Sequence, residues 1–261
     1  MLDRKKQRKN NEKIDKWNIN ILSFSFSSIG MRELLLFLNA ENEQESLKEQ
    51  VIKVPAGNQE DLNADDPFNR YIDFEALKKV NEDIAGWIYI PGTKVDYPIM
   101  IGDTDQEYLK KDFEGKSSPL GSIFAFQSVD LNQDFHVCIY GHNMISGQMF
   151  GGLKEYKNDE YANFHKKAYL YTKERTKELD LFSIFQCENT DAVFELEGKT
   201  WVGNNEEEIV NNLEKRSSIA LETSEKKTAQ IFTLATCYGS AGGTHRLVLN
   251  FTLAKEKFVL Q

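Results

Sequence analysis

Three residues in this chain have types and settings that could do chemistry: a possible nucleophile, Cys237, a fixed cation, Arg246, and a histidine, His142. Cys237 closes the apolar run Gln230–Cys237, and Arg246 opens the next one, Arg246–Leu253, across a small glycine-rich turn, Tyr238–Thr244. Two strand patterns joined in this way form a hairpin, which brings the cysteine and the arginine to one rim of a sheet. A cysteine acts as a nucleophile only as thiolate, so it needs a neighbouring cation or base. A guanidinium at that rim suits an oxyanion or a substrate carbonyl. His142 follows the apolar strand Val137–Tyr140 and Gly141, so its imidazole also begins a loop at a strand end, where it could move protons. His245, beside the arginine, is a competing candidate by hairpin geometry. His136 and His165 read as surface or rim residues, and Cys138 and Cys187, inside apolar runs, as small buried hydrophobes.

The elements that must position these residues are mostly strands. The 261 residues are 40% hydrophobic and 11% aromatic, enough to bury a core. The net charge of −9 argues against a nucleic-acid binder, because no clustered basic face exists outside the extreme N-terminus. Three cysteines without CxxC spacing and four scattered histidines signal neither a disulfide framework nor a metal site. Strand patterns occur at Trp87–Ile90, Val95–Ile101, Ser122–Phe126, Phe135–Tyr140, Lys167–Thr172, Glu178–Gln186, Ala229–Thr236 and Arg246–Leu253. Eight strands with short turns predict a mainly β protein built as a barrel or sandwich. Helices are predicted at Asp73–Ile84, with Asp73 as cap and Gly86 as stop, at Gln148–Tyr156 with an extension toward His165, and at Asn205–Arg216.

The N-terminal region divides differently. Residues 1–16 are rich in lysine and arginine and precede an apolar segment, Ile19–Met31, which Arg32-Glu33 interrupts before Leu34–Leu38 resumes it. A basic flank before an apolar run is the pattern of a signal anchor. Two charges at about 3 kcal/mol each weaken it, and an amphipathic arm is the alternative reading of residues 1–40. Residues 41–68 are polar and acidic, with Pro55 and Pro67 as breakers, and read as a helix and linker leading to a compact domain over 69–261.

At the rim residues the chain resembles a known family, the sortases, and specifically class B. Thr233-Leu-Ala-Thr-Cys237 is similar to the family's TLxTC signature, and Arg246 to its arginine. Tyr140-Gly-His-Asn-Met144 with Met149-Phe-Gly-Gly-Leu153 resembles the segment that carries its histidine, and Asn81–Pro98 and Gly121–Phe124 extend the likeness over roughly residues 70–255. The resemblance implies a closed eight-stranded barrel with N-terminal helices and a helical insertion, Asn205–Arg216, before the cysteine strand. It also implies a cysteine transpeptidase needing no metal or organic cofactor. Cys237 would cleave an NPxTN-like sorting motif after its threonine through a thioacyl-enzyme, with His142 as acid and base and Arg246 stabilising the oxyanion. Ala235, Thr236 and Tyr238 would border the substrate groove; Tyr238 stands where class B often has an acidic or amide residue, and Ala235 where it often has serine. The implied partners are secreted proteins bearing a sorting signal and the amine of a lipid II-type peptidoglycan precursor. The implied setting is a monomer at the extracytoplasmic face of the membrane of a Gram-positive bacterium. A pilin-polymerising sortase and a catalytically silent barrel that binds cell-wall peptides are the alternatives.

Overall fold

The computed structural model describes residues 28–53, 66–195, 206–222, 230–237 and 243–259. The basic segment 1–16, the apolar run up to residue 27, Asn205 at the start of the predicted Asn205–Arg216 helix, and the turn residues 238–242 with Tyr238 lie outside the described residues. The chain forms two compact units, Met1–Gln50 and Val51–Gln261. Helix α1 (Ser28–Val51) runs unbroken through Arg32-Glu33 and into the acidic stretch after Glu41. Among the described residues no helix is long and apolar enough to cross a membrane.

In the second unit a short ribbon pairs β1 (Ile52–Lys53) with β2 (Tyr71–Ile72), and helix α2 (Phe74–Val80) follows. Asp73 caps α2 by accepting the Ala76 N–H at 3.0 Å, as its position predicts. The helix is shorter than the apolar spacing suggested. Asn81 is extended, and its side-chain oxygen accepts the Asp83 N–H at 3.0 Å, an Asx turn that competes with the next helical bond. Ile84 therefore starts a strand, and Gly86 lies within that strand at an irregularity of register. A Cβ on Gly86 would stand 2.7 Å from Leu131 Cδ1, so this glycine serves packing instead of ending a helix.

Eight strands then close a barrel: β3 (Ile84–Tyr89), β4 (Asp96–Met100), β5 (Ile123–Phe124), β6 (His136–Gly141), β7 (Lys167–Tyr171), β8 (Arg175–Glu188), β9 (Ile231–Cys237) and β10 (His245–Phe258). Their order around the barrel is β10-β8-β7-β3-β4-β5-β6-β9. Most neighbours are antiparallel; β4 with β5 and β6 with β9 are parallel. The helical segment predicted from Gln148 onward splits in two. A 3-10 helix, Gly151–Lys157, gives way to helix α3 (Asp159–Phe164), because Asn158 is extended and its side chain caps α3 through the Tyr161 N–H. Between β8 and β9 come α4 (Ala192–Glu195) and α5 (Glu206–Lys215).

Strand periodicity separates two apolar clusters. Leu247, Leu249, Phe251 and Leu253 of β10 enter the main core, whereas Val248 belongs to a second cluster with Phe185, Ala235 and Ile231. Ile209, Val210 and Leu213 of α5 complete that second cluster, so the insertion helix covers the outer wall of β8, β9 and β10. Burying three aliphatic side chains there contributes roughly 1.5–3 kcal/mol each.

Under this cover runs one row of polar side chains. His136, Thr233, Asn250 and Ser183, on β6, β9, β10 and β8, are all fully buried. Thr233 Oγ1 donates to Asn250 Oδ1 at 2.7 Å, so the hydroxyl accepts from His136 Nε2, also at 2.7 Å. Asn250 Nδ2 donates to Ser183 Oγ at 3.5 Å, and Ser183 Oγ donates to the Leu213 carbonyl of α5 at 2.6 Å. The rim position read for His136 from sequence is thus corrected: burial pushes its pKa down to about 4, and the neutral ring is a structural donor. Replacing Thr233 by Val leaves His136 Nε2–H and Asn250 Oδ1 unpaired in the core. Urea unfolding should show Thr233→Val destabilised by about 2–4 kcal/mol and Thr233→Ser by about 1 kcal/mol or less; a Val variant as stable as the Ser variant would contradict this account.

Candidate active site

The parallel pairing of β6 with β9 sets the geometry of the rim. Its register runs from His136↔Ile231 to Gly141↔Thr236, so the next residues, His142 and Cys237, leave two adjacent strands side by side. On the other flank of β9, Arg246 of β10 pairs directly with Cys237. The backbone of Cys237 is therefore flanked by Arg246, its register partner about 4.8 Å away on β10, and on the β6 side by the residue that follows the last paired position, His142. Gly141 permits the tight passage of the strand end, since a Cβ there would stand 2.5 Å from Ile123 Cδ1.

The side chains of His142 and Arg246 both face one cleft of about 290 Å³. His142 is half-buried and its Nε2 lies 2.8 Å from the Leu109 carbonyl oxygen. Arg246 donates through Nη1 to the carbonyls of Gly243 at 2.8 Å and His245 at 3.0 Å, which holds the guanidinium at the rim. Ala235 and Thr236 line the cleft. Among the described residues Thr236 Oγ1 is buried without a hydrogen-bond partner, and Tyr238 lies outside them.

The other candidates fall elsewhere. His245 is exposed, and its Nδ1 pairs with Glu188 Oε1 at 2.9 Å, away from the cleft lining. His165 binds the Pro91 carbonyl through Nδ1 at 2.9 Å. Cys138 is fully buried, 3.8 Å from His136 Nε2. Cys187 pairs in register with Arg246 from the β8 side, and burial, aided by Asp191, pushes its thiol up to about 12. Two strand spacings separate Cys187 from Cys237, about 10 Å, which is too far for a disulfide.

Sequence reasoning missed the wall of the cleft. Phe124 and Phe126 lie at 5.6 and 4.8 Å from the Tyr140 ring in stacked arrangements, and Phe194 approaches the same ring at 6.2 Å. Gln106, Leu109 and Asn189 add the remaining edge. The two-residue spacing of Phe124 and Phe126 was the available signal, but it does not say which sheet face bears a groove. Phe194 and Asn189 sit on the segment after β8, which Arg216 ties down. Its guanidinium grips Asp191 through Nη1–Oδ1 at 2.8 Å and Nη2–Oδ2 at 2.6 Å, and lies 3.9 Å over the Phe185 ring. The same ion pair holds the Asp191 carboxyl below its ordinary range.

Comparison with known proteins identifies the family. The model of the sortase domain matches residues 88–254, more than half of the chain, from β3 to the middle of β10. The chain belongs to the sortase family. Its relatives place it in class B: it is 28% identical to sortase B of Staphylococcus aureus over 177 residues, which covers 67% of this chain and 72% of that protein. The structure of S. aureus sortase B in complex with substrate superposes with a TM-score of 0.62 at 28% identity, covering 70% of this chain and 85% of that one. Sortase B of B. anthracis in complex with AAEK1 gives a TM-score of 0.67 at 26% identity, covering 85% and 99% of the two chains. This class B sortase is accordingly a cysteine transpeptidase with the closed barrel of its relatives. Because Arg216 secures one wall of the cleft from outside it, Arg216→Ala should raise the KM for peptide substrate roughly three- to tenfold with kcat within about twofold. Steady-state kinetics on the purified variant check this, and a fall confined to kcat would contradict it.

Proposed function

We propose that Cys237, His142 and Arg246 are the catalytic residues of a transpeptidase that cleaves an NPxTN-like C-terminal sorting motif after its threonine and passes the protein to an amine of a cell-wall precursor. The observation that carries this reading is the register of β9, which sets Cys237 directly between Arg246 on one neighbour and His142 at the end of the other. Cys237 thiolate attacks the threonine carbonyl, and Arg246 with nearby backbone N–H groups meets the oxyanion. Collapse of the tetrahedral intermediate breaks the peptide bond, and the imidazolium of His142 protonates the leaving amine. The acceptor amine then attacks the thioacyl carbon, gives a proton back to His142, and expels Cys237 as thiolate. The aromatic wall and Ala235 and Thr236 form the groove in which the motif lies, and Tyr238 is the third substrate-contacting residue of this reading.

The setting follows from the same reading. Residues 69–261 are the catalytic domain, 41–68 connect it, and residues 1–40, a basic flank followed by an apolar run, anchor the enzyme so that the domain lies at the extracytoplasmic face of a Gram-positive membrane. A monomer suffices, since the proposed residues come from one chain. The substrates are secreted proteins with a sorting signal, and the acceptor is a lipid II-type precursor.

Incubation with an NPQTN-like peptide should give a thioacyl adduct on Cys237, seen as a mass shift that Cys237→Ala abolishes. No adduct with any sorting peptide would overturn the reading. His142→Ala and Arg246→Ala should each lower kcat/KM by at least about a hundredfold, the scale of losing an acid/base or oxyanion donor. His245→Ala should stay within about threefold of wild type by the same assay, because its ring faces Glu188 instead of the cleft.

A further inference from the structure

The imidazole of His142 does not offer both nitrogens to the cleft. A carbonyl oxygen only accepts, so the 2.8 Å contact between His142 Nε2 and Leu109 O requires a hydrogen on Nε2, whether the ring is neutral or protonated. In the neutral ring that leaves the lone pair on Nδ1.

The carbonyl that imposes this is itself held from several sides. Leu109 ends a single 3-10 turn, Glu107–Leu109. Tyr108 of that turn donates its hydroxyl to Asp83 Oδ2 at 2.6 Å and accepts from Asn81 Nδ2 at 2.8 Å, while its own carbonyl accepts the Ser122 N–H at 3.0 Å. The Glu107 carboxylate receives the Lys111 ammonium at 2.6 Å and the Asp103 N–H at 2.9 Å. Between this turn and His142 lies Gly121, at φ +58°, in the left-handed region that favours glycine. A Cβ on Gly121 would stand 2.6 Å from Leu109 O and 3.0 Å from His142 Cδ2. Glycine at this position is thus what lets the carbonyl and the imidazole meet.

We infer that Nδ1 of His142 is the nitrogen that exchanges protons during acyl transfer, and that the Leu109 carbonyl, seated by Gly121 and the Tyr108 turn, is the positioning group that fixes it there. The inference rests on the assignment of His142 as acid and base. In the first half-reaction Nδ1–H of the imidazolium gives its proton to the departing amine nitrogen as the carbon–nitrogen bond breaks. In the second, Nδ1 takes one proton from the incoming ammonium-forming nitrogen as the new carbon–nitrogen bond forms, which returns the imidazolium. Through both steps Nε2–H stays on the Leu109 carbonyl, which keeps the ring from rotating.

The test is nitrogen-15 NMR of the full chain labelled at histidine ring nitrogens, at a pH where the ring is neutral, with His142→Ala identifying the signal. The Nε2–H tautomer is expected; an Nδ1–H tautomer overturns the inference. Kinetics supply an independent arm. Gly121→Ala should lower kcat about tenfold or more with KM within about twofold, and Tyr108→Phe, which leaves the backbone of the turn in place, should lower kcat by a smaller factor with KM unchanged. Wild-type kcat in both variants would remove the positioning role. If His142→Ala keeps wild-type turnover, the acid/base assignment falls and this inference with it. If His142→Ala is inactive and the ring is Nδ1–H, the assignment stands and only the inference falls.

Discussion

The molecule depends on the parallel pairing of β6 with β9. Parallel neighbours need a crossover, and here it spans β7, β8 and the insertion helix before the chain returns as β9. A slip of one residue in that pairing would reverse the faces of β9, sending Leu234 outward and Thr233 into the apolar interior. The buried row of His136, Thr233, Asn250 and Ser183 opposes such a slip, because only the observed register completes its donors and acceptors. Thr233 is the pivot, since its single hydroxyl serves β6 and β10 at once. Four residues further along β9 lies Cys237, so whatever fixes Thr233 also fixes the cysteine between its two neighbours.

From that register the remaining features follow in layers. The row under the rim ends at the Leu213 carbonyl, which docks the insertion helix on the same outer wall. That helix ends just before Arg216, and Arg216 reaches Asp191 to hold the segment bearing Asn189 and Phe194 against the cleft. Strand register, helix docking and cleft wall are thus one mechanical chain of side chains. The insertion contributes to the site through packing and through one bidentate ion pair, without placing a residue of α5 in the cleft lining.

Much of this was legible in the sequence because strands announce themselves through period-two alternation, and their ends through glycine and polar residues. The eight barrel strands and the rim placement of His142 and Arg246 came from such patterns together with the family likeness. What stayed hidden was carried by partners distant in sequence. His136 looks like a rim residue until Thr233, far along the chain, supplies its acceptor. Ile84 fits a helical face as well as a strand, and only the Asx turn at Asn81 decides between them. The Leu109 carbonyl belongs to the backbone, which every residue shares, so no residue type could mark it.

Cys187 sharpens what the rim must provide. Arg246 stands in register with Cys187 on one side and Cys237 on the other, so both have the same guanidinium as a cross-strand neighbour. Arg246 and Arg216 each favour a thiolate at Cys187, yet desolvation outweighs them and its thiol is pushed up to about 12. A neighbouring arginine therefore does not suffice to activate a cysteine on this barrel wall. The features that set Cys237 apart are its place at the last residue of a strand and the imidazole that begins where the adjacent strand ends. Under the proposed assignment Arg246 therefore serves the oxyanion more than the thiolate, and activation of the cysteine falls to His142, which follows from the point at which β6 ends beside β9.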